Sequence, residues 1–332
     1  MKENTENDKF IFDRPIKCGL TYYWNYIKLW GQSLFFKTLF HFASIPKTEK
    51  KYKYCICSIF KNESPYLREF VEYHLLIGFE HFYFYNNNSD DNYQEVLCKY
   101  VEKGIVSLID WPVVPGQQAM YEHWYKTFRH ETQWVAFLDL DEFICPIKAV
   151  SIDEWIKPFE RFPLIMLYWR MFGTSGILEN DNTKLVIEQY FNSWNKLTNI
   201  GKLIYNTDYD IAWFEKAMMH YFYVHYKRML IPPINQYGYF VRYGIHRYSM
   251  REDEIQVNHY WSKSYNNYTQ KHKRGSAVYG KSWKTFDAFL FHEHFNISCD
   301  FNISRFLTEL KLKMTGQYPN VNYENSKWRK NV

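Results

Sequence analysis

The chain has no pair of cysteines at metal or redox spacing, no uncharged apolar run long enough to cross a bilayer, and no dense block of lysine and arginine. Each absence excludes something. The six cysteines, Cys18, Cys55, Cys57, Cys98, Cys145 and Cys299, form no Cys-x-x-Cys pair, and four lie in apolar runs. They read as small core hydrophobes of a reducing compartment, not as a zinc or disulfide framework. A formal net charge of +5 without a basic block suits phosphate or anionic lipid and gives no reason to expect nucleic acid. The first ten residues are polar and mixed in charge, so no secretory leader is expected there. No repeat appears, and no long low-complexity linker separates the halves.

Aromatic residues are abundant at 21%, with 30 tyrosines. Rings with an apolar face and a polar tip suit sugar stacking or a membrane-facing surface, although an AT-rich genome would also enrich Tyr, Asn, Lys, Phe and Ile. Residues 18–43 come nearest to a membrane segment, but Lys28 and Lys37 break them into short runs. Two readings stay open there, an interfacial helix of aromatics and lysines, and a helix packed on the domain's own core. The organisation expected is an N-terminal extension over 1–50, one compact domain over 51–295, and a C-terminal amphipathic helix with a basic tail over 296–332.

From Lys53 onward the pattern is regular. KYCICSIF (53–60) is a buried strand. Ser64 as N-cap, Pro65 as first helical residue and Gly78 as stop bound a helix with Leu67, Phe70, Val71, His74 and Leu75 on one face. HFYFY, a helix closing on Gly104, IVSLID and a helix over 117–130 then lead into WVAFLDLDEF. Alternating strands and helices predict an α/β fold, doubly wound and mostly parallel, with helices on both faces and ligands at the carboxyl ends of the strands. The second half is irregular and aromatic.

FLDLDEF places Asp139, Asp141 and Glu142 within four positions. On an extended chain Asp139 and Asp141 project to one side and Glu142 elsewhere. Like charges held so close call for a cation, and oxygen ligands suit Mg²⁺ or Mn²⁺ shared with a substrate phosphate. The bland alternative is a strand end whose acids cap a turn. His259 is a remote third ligand candidate, and Lys263, Lys271, Lys273 and Arg274 could meet a diphosphate. Asn62 and Glu63 end the first strand and Asn87 and Asp90 the second, a polar set suited to a nucleotide, though Asn and Asp are also ordinary turn residues.

The ordered blocks K-N-E-x-x-Y-L-x-E-F-x-x-Y-H-x-x-x-G, F-Y-N-N-x-S-x-D, D-L-D-E-F, F-G-T-S-G and N-H-Y-x-x-K-S then R-G span about Cys55 to Gly275. This set resembles a family 2-like group of glycosyltransferases related to family 92, whose members include galactosyltransferases. The resemblance implies a GT-A-like fold and metal-dependent, inverting transfer from a UDP-sugar. Under it Asp139 and Asp141 are the DxD pair, with Asp141 the direct ligand, and His259 completes the metal or diphosphate site. Asn62, Glu63, Asn87 and Asp90 surround the nucleotide, and Lys202 and His220 fall where related sequences carry polar residues. Many relatives have His after F-G-T-S-G; Ile177 stands here, so no acceptor role is carried over to it.

A carboxylate should deprotonate the acceptor hydroxyl. Glu179, Asp181, Glu252, Asp253 and Glu254 are candidates, Asp253 and Asp181 foremost, and Trp169, Trp213 and Trp261 could stack on sugars. The acceptor expected is a glycan or glycolipid such as lipopolysaccharide or capsule, made in the cytoplasm with peripheral contact to the inner face of the membrane. Two other readings remain, a haloacid-dehalogenase-like phosphatase and a non-catalytic sugar-binding protein.

Overall fold

The computed structural model describes residues 20–45, 47–212, 220–241, 252–274 and 285–318. Helix α1 (Leu20–Phe42) precedes a strict alternation of β1 (Tyr52–Phe60), α2 (Ser64–Leu76), β2 (His81–Asn86), α3 (Tyr93–Glu102), β3 (Val106–Asp110), α4 (Gln117–Phe128) and β4 (Thr132–Phe137). The chain continues through β5 (Glu142–Pro146), α5 (Ile152–Ile156), β6 (Leu164–Met171), α6 (Val186–Gln189), β7 (Asn192–Ser193) and β8 (Gly201–Asn206). Short strands β9 (Asp210–Ile211), β10 (Val224–Tyr226), β11 (Met229–Ile231) and β12 (Ile234–Asn235) follow. Then come β13 (Ile255–His259), α7 (Tyr265–Arg274), α8 (Phe286–His294), β14 (Ser298–Cys299) and α9 (Leu307–Met314).

The main sheet runs β3-β2-β1-β4-β8-β6-β13-β5, with β12 added to β6. The four strands of the first half are mutually parallel, as the alternation predicts. Beyond β4 the sheet is mixed: β8 is antiparallel to both β4 and β6, while β13 is parallel to β6 and antiparallel to β5. Thus the α/β class and the mostly parallel sheet hold, with antiparallel strands confined to the irregular half.

Alternation along β2 explains why both faces are covered. Phe82 and Phe84 meet Phe70 of α2 on one side, whereas Tyr83 meets Trp124 of α4 and Tyr85 meets His123 on the other. A strand buried on both faces reads as a continuous apolar run because neither face sees water. Each such ring removed from water stabilises the fold by about 1.5–3 kcal/mol, and truncating one to Ala costs about 3–5 kcal/mol. Phe306, just before α9, packs edge-on against Tyr73 of α2, so the C-terminal helix is fastened to the core.

Local details differ from the sequence reading in two places. The cap position of α2 is Glu63, and Ser64 is already helical; Gly78 adopts φ +102 after the helix, as expected of its stop. The amphipathic stretch after Phe301 begins as a 3-10 turn over Asn302–Phe306 before α9 starts. Gly201 opens β8 because a Cβ there would lie 1.8 Å from the Leu167 carbonyl oxygen of β6. The basic tail from Glu324 and the side chain of Trp213 lie outside the described residues.

Candidate active site

The carboxyl ends of β1, β4, β6 and β13 converge on one edge of the sheet. β4 stops at Phe137 and β5 starts at Glu142, so Asp139, Leu140 and Asp141 form a turn between two strands and not the extended segment expected. The Glu142 N–H donates to the Asp139 carbonyl (3.0 Å), and the Asp139 N–H donates to Glu142 Oε2 (3.1 Å). Glu142 therefore folds back onto the turn, correcting the expectation that it points elsewhere. The Asp141 carbonyl accepts from the Tyr260 N–H (2.8 Å), which pins the turn to the end of β13.

The two aspartates have different partners. Asp139 Oδ2 lies 3.0 Å from Lys202 Nζ and its Oδ1 accepts from Gln117 Nε2 at 3.0 Å. Lys202, 1% exposed, also stands 3.3 Å from Glu142 Oε2. Burial by itself would depress the lysine pKa, but the charge of Asp139 and then Glu142 outweighs it, so Lys202 is held above its ordinary value and stays protonated. Burial pushes the Glu142 carboxyl well above the usual carboxylate range, Lys202 opposing and Asp139 and Asp141 adding to the effect. Asp139 is thus the carboxylate that Lys202 neutralises. Both aspartates expected to hold a metal have a lysine partner, Lys202 for Asp139 and Lys271 for Asp141.

Asp141 faces a different set. Its Oδ1 lies 3.7 Å from His259 Nε2, and its Oδ2 accepts from Lys271 Nζ of α7 at 2.5 Å. Trp169 packs between His259 and His220, with ring centroids 4.7 and 4.8 Å away. Burial first, and the Lys202 charge second, lower the His220 pKa to about 4, so this ring is neutral at physiological pH. Among the described residues no group of three or more His, Cys, Asp or Glu forms a ready metal cage. A carboxylate and an imidazole side by side nevertheless fit a divalent ion that completes its shell with substrate oxygens and water, and imidazole favours Mn²⁺ over Mg²⁺.

The nucleotide candidates fall into two kinds. Lys263, fully buried, lies 3.3 Å from Glu63 Oε2 and 3.3 Å above the Tyr66 ring centroid. These two predicted residues come together across 200 positions. Asn62 instead stitches loops: its Oδ1 accepts from the Asp90 N–H (2.9 Å) and its N–H donates to Ser89 Oγ (3.0 Å). Asn87 donates to the carbonyls of Trp111 and Val113, both at 2.8 Å. Their amides hold the β1 and β2 loops in shape, and the exposed Asp90 side chain lies at the rim.

Other expectations do not gather. Asp253 precedes β13 at the end opposite His259, bonded to Tyr237 and 3.6 Å from Arg170. Glu252 and Glu254 share that far end, so none of the three reaches the acidic turn, and the favoured base is corrected. Asp181 accepts from the N–H (2.9 Å) and hydroxyl (2.6 Å) of Thr183, bonds that hold its exposed carboxyl below the usual range. It shapes its own turn. Arg274 ends α7, with its side chain outside the described residues. Trp169 and Trp261 are buried, the latter stacked on His292, so both serve packing rather than an open sugar platform.

Two residues escaped the sequence reading. Gln117, the first residue of α4, reaches Asp139. Glu293 of α8 accepts from the Thr174 N–H (3.1 Å) and hydroxyl (2.9 Å) and from Ser262 Oγ (3.3 Å), joining the loop after β6 to the loop after β13. No local pattern marks either one.

Comparison with known proteins identifies the family. Residues 50–307 match the profile of glycosyltransferase family 92. A stretch of 105 residues is 39% identical to a family 92 protein of Arabidopsis thaliana, covering 30% of this chain and 18% of that protein. Another of 141 residues is 28% identical to a galactan β-1,4-galactosyltransferase of the same plant, covering 37% and 27%. The matched segments span well under a third of the length of these relatives. Among solved structures, TarS of S. aureus aligns over 47% of each chain at 14% identity with a TM-score of 0.32, a likeness too slight to argue from.

Proposed function

The chain belongs to glycosyltransferase family 92, and from that premise we propose that it transfers a hexosyl group from a UDP-sugar to a glycan acceptor by direct, inverting displacement. The observation that carries this reading is the asymmetric acidic turn. Lys202 neutralises Asp139 inside the protein, while Asp141 is presented with His259 and Lys271 at the ligand edge of the sheet. Galactose is the favoured sugar, since one relative is named a galactosyltransferase.

Asp141 and His259 are the residues that would hold Mn²⁺ or Mg²⁺, which when bound supplies charge neutralisation to the diphosphate leaving group. Lys271, already drawn to Asp141, and the buried Lys263 bring further positive charge to the same edge, where a diphosphate needs it. Lys202 keeps Asp139 from repelling that diphosphate. The Glu293 bridge holds the two loops that border the site in one arrangement. The acceptor is a glycan, free or lipid-linked, of the lipopolysaccharide or capsule kind.

Purified protein assayed for hydrolysis and transfer of UDP-Gal, UDP-Glc and UDP-GlcNAc, with and without Mn²⁺, tests the reading. Asp141→Ala should lower turnover by about two orders of magnitude or more while the protein still folds. Full activity in that variant would remove Asp141 from the chemistry. Melting that responds to UDP neither with nor without Mn²⁺ would favour a protein that binds only sugars.

A further inference from the structure

Helix α1 buries one narrow stripe and exposes the rest. Leu29, Ser33, Phe36 and Phe40 recur at helical spacing and are buried, Phe36 and Phe40 against Phe240. Ser33 and Phe240 exchange a further bond, the Phe240 N–H donating to Ser33 Oγ at 3.0 Å. This settles the two open readings in part: the helix does pack on its own domain, but with only that stripe. The opposite arc carries Tyr23, Trp24, Ile27, Trp30, Leu34 and Phe35, each more than half exposed. A soluble surface rarely keeps so many large apolar side chains together in water.

The charge beside this arc is of one sign. On a 3.6-residue repeat Lys28 falls at one margin of the apolar arc and Lys37 at the other. The described part of α1 contains no Asp or Glu at all. Where the helix ends, a groove of about 540 Å³ lies between Phe35, Leu39 and Phe42 and the β10–β11 hairpin, whose exposed tip is Lys227-Arg228. Apolar rings at the centre with lysines at both margins is the arrangement of a helix lying in the plane of a bilayer, its ammonium groups reaching the headgroups. No helix among the described residues is long and apolar enough to cross a membrane.

We propose that the exposed arc of α1, with the hairpin tip beside it, seats the protein on an anionic bilayer surface. The occupant is the lipid surface itself, and the acidic phosphates pair with Lys28, Lys37, Lys227 and Arg228. A second copy of the chain would satisfy the apolar arc but would bring lysine against lysine, which is why charge selects lipid.

Co-sedimentation of the full chain with vesicles of equal parts phosphatidylglycerol and phosphatidylcholine tests this. The protein should pellet at low salt and be released as salt rises. Lys28→Gln with Lys37→Gln should lower the partition coefficient about 30-fold. Ile27→Ser with Trp30→Ser should abolish binding while the melting temperature stays within a few degrees. Failure of the intact chain to pellet at low salt overturns the proposal. So does equal binding to pure phosphatidylcholine that the glutamine variant leaves unchanged. A concentration-dependent dimer that Trp30→Ser dissociates, without vesicle binding, overturns it in favour of a second copy.

Discussion

Replacing Lys202 by methionine isolates the feature that distinguishes the two aspartates. The substitution keeps the length of the side chain and removes one charge from a site that is 1% exposed, leaving Asp139 and Glu142 with no cation within the earlier 3.0 and 3.3 Å. Breaking a buried pair from one side costs about 3–5 kcal/mol, because the remaining charge stays without compensation. The low end applies, since the Asp139 side chain is 35% exposed and water can take part of the load. A loss of about 3 kcal/mol should lower the melting temperature by about 6–9 °C, a little less per kilocalorie than in smaller domains. The assay is urea unfolding of the wild type, Lys202→Met, Asp139→Asn and the double variant. The double variant should recover about half of the loss, giving a coupling of about 1.5–2 kcal/mol. Lys311→Ala, which removes only an exposed pair with Glu188, should change stability by less than about 0.5 kcal/mol. A coupling below about 0.5 kcal/mol between Lys202 and Asp139 would refute the view that the protein itself neutralises the first aspartate.

Three further outcomes follow from the same packing. Burial works to raise the Glu293 pKa, but its bonds with His292 and Thr174 outweigh that and hold it below the ordinary carboxylate value. A depressed folded pKa means that its contribution is present above the unfolded value and lost as pH falls through the folded one. Glu293→Gln should therefore flatten the fall in melting temperature between pH 5 and 3, and an unchanged pH profile would count against the bridge. Lys263→Met should destabilise by about 3 kcal/mol in the same urea assay, because Glu63 loses its buried partner and Tyr66 its cation. Gly201→Ala forces a Cβ toward the Leu167 carbonyl oxygen, so it should cost about 3 kcal/mol or more, and a neutral effect would mean the β6–β8 edge yields easily.

The first half of the fold could be read directly because β1, β2 and β4 are buried on both faces and its helices carry ordinary stop signals at Gly78 and Gly104. Strand β8 could not. GKLIYN looks like any half-buried strand, and nothing within it says that it will wedge antiparallel between β4 and β6. The acidic turn was misread as extended chain for a related reason. Leu-Asp-Leu-Asp alternates as a strand does, and the reversal depends on the Glu142 side chain capping the Asp139 N–H. Asp141, His259, Lys263 and Glu63 lie in the motif blocks and Lys202 outside them, and the fold carries all five to the carboxyl edge of the sheet. Asp253 lies at the far end of β13, and acidity alone says nothing about which end of a strand a residue occupies. Glu293 stood no chance of being read, since its partner Thr174 is 119 residues away.

The position of β13 has a consequence for how the protein is made. This strand enters between β5 and β6, both of which leave the ribosome about a hundred residues earlier. Until Ile255–His259 is translated, those two strands have no common neighbour, and Asp141 lacks both His259 and the Tyr260 N–H. The parallel half can form while synthesis continues, but its ligand edge stays open. A chain halted before Ile255 would thus be a folded half with an incomplete site, and its unpaired strands would be exposed to aggregation.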